Sequence, residues 1–149
     1  MLSAAHTLVS LPFGIYFNSL WVIFALSFLW HFILDMLPHW NLYTEDYDRH
    51  PRLFYVMAVV DVISGIVIAR LLYGPVVFTT PLLVAIIGGN MPDILHTLYD
   101  NYWTRKQKWL KRIEPFFRYH EKIQWELKSM WVGLVSQVVV VGIAAWFMG

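Results

Sequence analysis

The chain alternates between long apolar runs and short polar breaks, and the runs have the length of helices. Five stand out: Leu2–Phe17, Asn18–Leu37, Leu53–Tyr73, Val76–Gly89 and Ser129–Met148. A helix that crosses a bilayer needs about 20 mostly apolar residues, with a lower limit near 17. The second, third and fifth runs meet this, and only Ser136 and Gln137 are strong polar interruptions in the last. The first run is short and carries Pro12; the fourth is shorter and carries Pro81. These two are expected to tilt, kink or enter only in part, shielded by the others. The predicted architecture is all-α: a polytopic transmembrane bundle of about five helical segments, folded as a single integral-membrane domain over residues 1–149.

The breaks fit this layout. Residues 38–52 are polar and rich in turn formers, Gly74-Pro75 makes a tight break, and 91–128 is the one long polar region. Pro92 suits a first helical position, with Asn90 as its N-cap, and that helix is expected to reach Glu114. Pro115 is then expected to open a helix that runs into the last apolar run. No Lys or Arg precedes the first run, as a secretory signal would require.

Composition strengthens the membrane reading. Hydrophobic residues make up 58% and charged residues 14% of the chain, against about 25% charged in soluble proteins. Eight Trp and eight Tyr supply rings that favour the membrane–water interface. There is no Cys, which excludes disulfides and thiolate metal sites. Of the 11 Lys and Arg, eight lie between Arg105 and Lys128, two more are Arg49 and Arg52, and Arg70 stands apart. With five crossings both loops fall on one side. The positive-inside rule makes that side cytoplasmic, with the N-terminus inside and Gly149 outside. The basic stretch from Thr104 to Lys122 has Trp109, Phe116 and Phe117 among its charges. It reads as a surface helix on anionic lipid headgroups over 105–128, in preference to a nucleic-acid site.

Ionisable groups inside spans are costly, roughly 2.5–3.5 kcal/mol for Asp at a helix centre. Here they are His6, His31, Asp35, Asp61 and Arg70, with Asn90, Asp93, His96 and His120 at the margins. At ~1.5 Å per residue, His31 lies ~9 Å and Asp61 ~12 Å below the cytoplasmic surface. All except Arg70 fall in the cytoplasmic half. His31 and Asp35 are spaced i, i+4 and share a helix face; Asp93 and His96 (i, i+3) and His120 and Gln124 (i, i+4) do likewise. His39 would continue the first face, but Pro38 is expected to turn the chain there. Imidazoles and carboxylates converging from several helices suit a divalent ion, Zn²⁺ first, with Mn²⁺ or Fe²⁺ as alternatives. Each group also has a plain reading. Asp93 stabilises a helix N-terminus, His31–Asp35 or Asp61 serves as a buried structural pair, and His96 and His39 are interfacial. The shared depth is what favours a common site.

The segment His31-Phe-Ile-Leu-Asp35-Met-Leu-Pro38-His39 resembles the His-x-x-x-Asp-x-x-Pro signatures of two groups. These are the bacterial zinc-dependent phospholipases C and the membrane-bound metal-dependent hydrolases that include a LexA-binding inner-membrane protein. Gly88 to His96 resembles the Gly-x-x-x-Pro-Asp-x-Asp-His segment of the second group, with Leu at position 95 in place of its second acid. Ala4-Ala5-His6 also fits, whereas the His-Arg-x-x-Thr-His-Ser segment of that group has only His120 to Gln124 as a counterpart. The resemblance implies a metal-dependent hydrolase of the bacterial inner membrane acting on a phosphoester.

The leading expectation is therefore an integral-membrane metallohydrolase with its site at the cytoplasmic interface and a lipid-like phosphoester as substrate. His6, His31, Asp35, Asp93 and His96 are the candidate ligands; Asp61 and His120 are candidates for supporting those ligands from behind or for proton transfer. The alternatives are a catalytically inactive anchor whose basic surface meets a protein partner, and an ion or proton relay.

Overall fold

A computed structural model of the protein describes residues 1–41, 51–99 and 108–147. Among these the fold is all-α. The helices are α1 (Ser3–Tyr16), α2 (Leu20–Asp35), α3 (Pro51–Tyr73), α4 (Thr80–Leu98), α5 (Glu114–Ile123) and α6 (Met130–Trp146), with 3₁₀ turns at Gly74–Phe78 and Lys108–Ile113. Extended backbone pairs at one point among the described residues, where His39 bridges Glu126.

The first apolar run forms the centre. Residues Ala5 to Leu11 and Gly14 of α1 are buried, and α2, α3, α4 and α6 all pack on this helix. Contacts fix the helix directions. Gly14 meets Pro81 while Gly89 meets Ser10, so α4 is antiparallel to α1. Gly65 meets Ala4, and Ala69 packs near Leu8 and Leu11, so α3 is parallel to α1. The Leu2 amide donates to Gln137 Oε1 (2.9 Å), and the Tyr16 hydroxyl donates to the Phe147 carbonyl, so α6 is parallel as well. His6 of α1 meets Asp35 at the far end of α2, so α2 is antiparallel.

Gly88 permits a close helix contact. A Cβ there would sit 2.9 Å from the Phe24 carbonyl oxygen and 3.0 Å from Ser27 Cβ, so its absence lets α2 and α4 touch backbone to side chain, as small residues do inside membranes. One end of the bundle closes on Leu8, Leu11, Ala69, Val77, Leu82 and Ile86, all buried. Outward, α3 and α6 expose Val56, Val60, Ile63, Val67, Val135, Val138 and Ile143. Two stretches, Tyr55–Phe78 and Thr80–Leu98, are long and apolar enough to cross a membrane; Leu20–Asp35 and Met130–Trp146 are apolar but shorter.

Two boundaries differ from the sequence expectation. Pro92 does not start a helix but lies inside α4. Its missing N–H deprives the Gly88 carbonyl of a helical donor, and the adjacent Gly89 carbonyl accepts from His31 Nδ1 of α2 at 2.8 Å. The broken turn is thus held from a neighbouring helix. Nor does the helix opened by Glu114-Pro115 run into the last apolar run. It stops at Ile123, because the Trp125 amide donates to the Asp35 carbonyl (2.9 Å) and His39 and residues 125–127 exchange two further backbone bonds. Those bonds require extended chain. The expected helix between Pro92 and Glu114 falls partly on 100–107, outside the described residues.

Candidate metal centre

The end of α2 places His31 and Asp35 one turn apart on its inward face, and both are buried. Four other elements add to them: His6 from α1, Asp93 from α4, His120 from α5 and His39 from the turn after α2. The Asp35 carboxylate is the hub. Its Oδ2 lies 3.1 Å from His31 Nε2, 2.9 Å from His120 Nε2 and 3.4 Å from Gln124 Nε2. Its Oδ1 lies 2.6 Å from the Met1 ammonium, 3.2 Å from His6 Nε2 and 4.0 Å from His39 Nε2. Asp93 Oδ1 closes the group from α4, 3.4 Å from His31 Nε2 and 3.7 Å from His120 Nε2.

Ligand atoms of His31, Asp35, Asp93 and His120 all lie within 4.8 Å of one another, a set able to hold one metal ion. The hydrogen bonds around it favour that use. A carbonyl only accepts, so His31 Nδ1 carries a proton for Gly89, which leaves Nε2 as the atom that faces the centre and that would serve a metal once deprotonated. His39 repeats the device, with Nδ1 donating to the Leu37 carbonyl at 2.7 Å. Metal-bound imidazoles are oriented by such carbonyls. Burial holds the His39 imidazole below its usual pKa, which favours the neutral, ligating form. Both nitrogens of His6, Nε2 of His39 and Nδ1 of His120 are buried without a hydrogen-bond partner; for His6 Nε2 the nearby Asp35 oxygen is close enough but badly aligned. Buried polar atoms are nearly always satisfied, so this concentration of orphaned nitrogens marks a site built for a further group. His6 and His31 stack, with centroids 3.9 Å apart.

The residues singled out from the sequence are distributed as follows. His31, Asp35 and Asp93 join the four-residue set, and His6 flanks it against Asp35. His120, expected from the sequence to support the ligands or to transfer protons, contributes its Nε2 to the set itself. His96 stands one step away, stacked on Phe117 at 5.2 Å with its ring 5.4 Å from that of His120. Asp61 faces elsewhere: its carboxylate accepts from the Ser3 amide (2.6 Å) and the Ala4 amide (3.3 Å) at the start of α1. Sequence reasoning set His39 aside, although its i, i+4 spacing from Asp35 was the available signal. The 38–40 segment is drawn back over the site by its pairing with 125–127 and by Gln137 Nε2, which donates to the Trp40 carbonyl at 2.8 Å.

Access is one-sided. The side chains of His6, His31, Asp35, His39 and His120 are 0% exposed, whereas that of Asp93 is 31% exposed. No family model, curated protein or solved structure matches the chain.

Proposed function

We propose that the protein is a membrane-embedded, metal-dependent hydrolase that acts on a phosphoester of lipid-like character at the cytoplasmic interface. The observation that carries this reading is the convergence of His31, Asp35, Asp93 and His120 within 4.8 Å at one end of the helices. Their nitrogen and oxygen donors fit Zn²⁺ first and Mn²⁺ or Fe²⁺ next. His6 and His39 beside Asp35 Oδ1 offer further donors, so about one or two ions per chain are expected. A bound divalent ion would supply Lewis-acid polarisation of a phosphoryl oxygen and acidify water to a pKa near 7.

The chain's own groups have separable tasks. The Gly89 and Leu37 carbonyls fix the tautomers of His31 and His39. Asp93, the exposed edge of the set, is where water and substrate enter and where a proton can leave to solvent. The apolar surround excludes other water. A polytopic bundle is supported by the alternating directions of α1, α2, α3, α4 and α6 and by the apolar outer faces of α3 and α6. It is supported too by the Lys and Arg on one side of the predicted crossings.

The test is elemental analysis of the detergent-purified protein beside His31→Ala, followed by phosphate-release assays on mixed phospholipid micelles. Stoichiometric metal in the wild type and its loss in His31→Ala are expected. A wild type that stays metal-free after equilibration with Zn²⁺, Mn²⁺ and Fe²⁺ would remove the basis of the proposal. Metal without any hydrolysis would favour an inactive anchor.

A further inference from the structure

The fourth donor of the set arrives on a helix unlike the others. In α5, Phe117 and His120 are buried while Arg118, Tyr119 and Lys122 point outward. It is held to the bundle along that one face and by the residues that follow it, where the Trp125 amide donates to the Asp35 carbonyl and His39 pairs with Trp125 and Leu127. Phe116 sits edge-on to Phe32 at 5.7 Å, Phe117 stacks on Tyr99 at 4.4 Å, and His120 reaches Asp35 at 2.9 Å. A short helix attached along one face opens at lower free-energy cost than the core helices beneath it.

The outward face has a definite chemistry. The Arg118 side chain is 76% exposed and Tyr119 is 62% exposed; Lys122 is exposed, as are Lys111 and Arg112 on the preceding turn. The acidic residues here are Glu114, held by Arg118 at 2.6 Å, and the exposed Glu121. Lys111, Arg112, Arg118 and Lys122 therefore outnumber Glu114 and Glu121. Cations flanking a half-wet aromatic on one side of an amphipathic helix match an anionic lipid surface.

We infer that anionic lipid headgroups seat α5 and so complete the donor set at Asp35, coupling metal affinity to the charge of the membrane surface. The inference rests on the metal-centre reading above. Lipid favours the docked helix, only the docked helix presents His120, and metal favours the same state. The coupling is reciprocal by linkage, so metal must tighten α5 on the lipid by the same factor.

The experiment uses the full chain in nanodiscs of phosphatidylcholine alone and of phosphatidylcholine with phosphatidylglycerol, titrated with Zn²⁺ against a chelator of known affinity. Zinc is expected to bind roughly tenfold tighter in the anionic discs, and the gain should disappear in high salt. The double variant Arg118→Gln, Lys122→Gln should keep the neutral-disc affinity and lose the gain. Equal wild-type affinity in the two discs, or a gain that survives in a folded double variant, overturns the inference and leaves the metal centre standing. No zinc in either disc overturns the metal-centre reading itself, and this inference with it. Because the anionic surface also concentrates Zn²⁺ itself, the gain is read against the double variant or, where that does not fold, against Lys122→Gln alone, which leaves the disc charge unchanged and should lower the gain.

Discussion

The two ends of the helical bundle are buried to the same degree with opposite chemistry. At one, Leu8, Leu11, Ala69, Val77, Leu82 and Ile86 close into an apolar cluster. At the other, His6, His31, Asp35, His39 and His120 are equally hidden from solvent, and several of their nitrogens have no hydrogen-bond partner. The same α1 and α4 run through both. Hiding polar groups without partners costs free energy, and replacing buried charges with well-packed apolar residues is often neutral or stabilising. A bundle selected for stability alone would carry the first kind of packing at both ends. The difference teaches that one end is closed by apolar packing alone, while at the other a polar set able to hold a metal ion lies beside the apolar cluster of Met1, Ala5, Val9, Leu34 and Ala144, and metal binding and stability should be separable by mutation.

The largest separation is expected at Asp35. It is the one carboxylate that touches His6 through Oδ1 and His31 and His120 through Oδ2. Asp35→Ala should abolish stoichiometric metal, with a loss in affinity above about 100-fold, since even changes behind the ligands cost 10–100-fold. Elemental analysis with a chelator-competition titration reads this directly. A variant that keeps its metal would break the contrast, because the polar end would then be structural.

Leu11→Ala is the mirror experiment. Leu11 is fully buried in the apolar cluster. Truncating a buried Leu costs about 2–5 kcal/mol in water-soluble proteins. On the membrane-embedded reading proposed above, the packing term remains without a hydrophobic transfer term, so about 2 kcal/mol is expected in denaturation from mixed micelles. Metal affinity should hold within about twofold, as for distant independent sites. Gly88→Val sharpens the comparison from between the two ends. Its Cβ would meet the Phe24 carbonyl at 2.9 Å, and overpacking of this kind costs about 1–3 kcal/mol. Because it pushes α2, with His31 and Asp35, away from α4, with Asp93, both stability and metal affinity should fall.

How much of this was legible in the sequence follows from the range of each interaction. Apolar runs reported the main helices, because the length and composition of a run are local signals. The His31–Asp35 pair was legible from its spacing, and His6 and Asp93 from depth together with the cost of burying them. Pro92 was misleading because its lost hydrogen bond matters less when a side chain of another helix, His31, engages the freed turn. The stop at Ile123 and the recruitment of His39 both depend on backbone bonds between 35–39 and 125–127. His120 meets Asp35 from 85 positions away. Periodicity carries no information over such separations.

Asp61 gives the smallest expected effect and the finest test. From the sequence it was a candidate for supporting the ligands or for proton transfer; in the structure its carboxylate receives the Ser3 and Ala4 amides. Helix α1 has no side-chain cap of its own and no acid in its first turn, so Asp61 of α3 does the capping from outside. Loss of a helix cap costs about 1 kcal/mol. The first turn of α1 also positions His6, whose amide donates to the Leu2 carbonyl at 3.2 Å. Asp61→Ala should therefore lower stability by about 1 kcal/mol and metal affinity by roughly tenfold, as changes that orient ligands do. Asp61→Asn keeps an acceptor oxygen and should recover most of both. A proton-transfer role predicts the same stability and metal binding for Asn but lost turnover and a changed pH profile. Measuring melting, zinc affinity and phosphate release on the Ala and Asn variants together separates a residue that holds the polar end in place from one that works inside it.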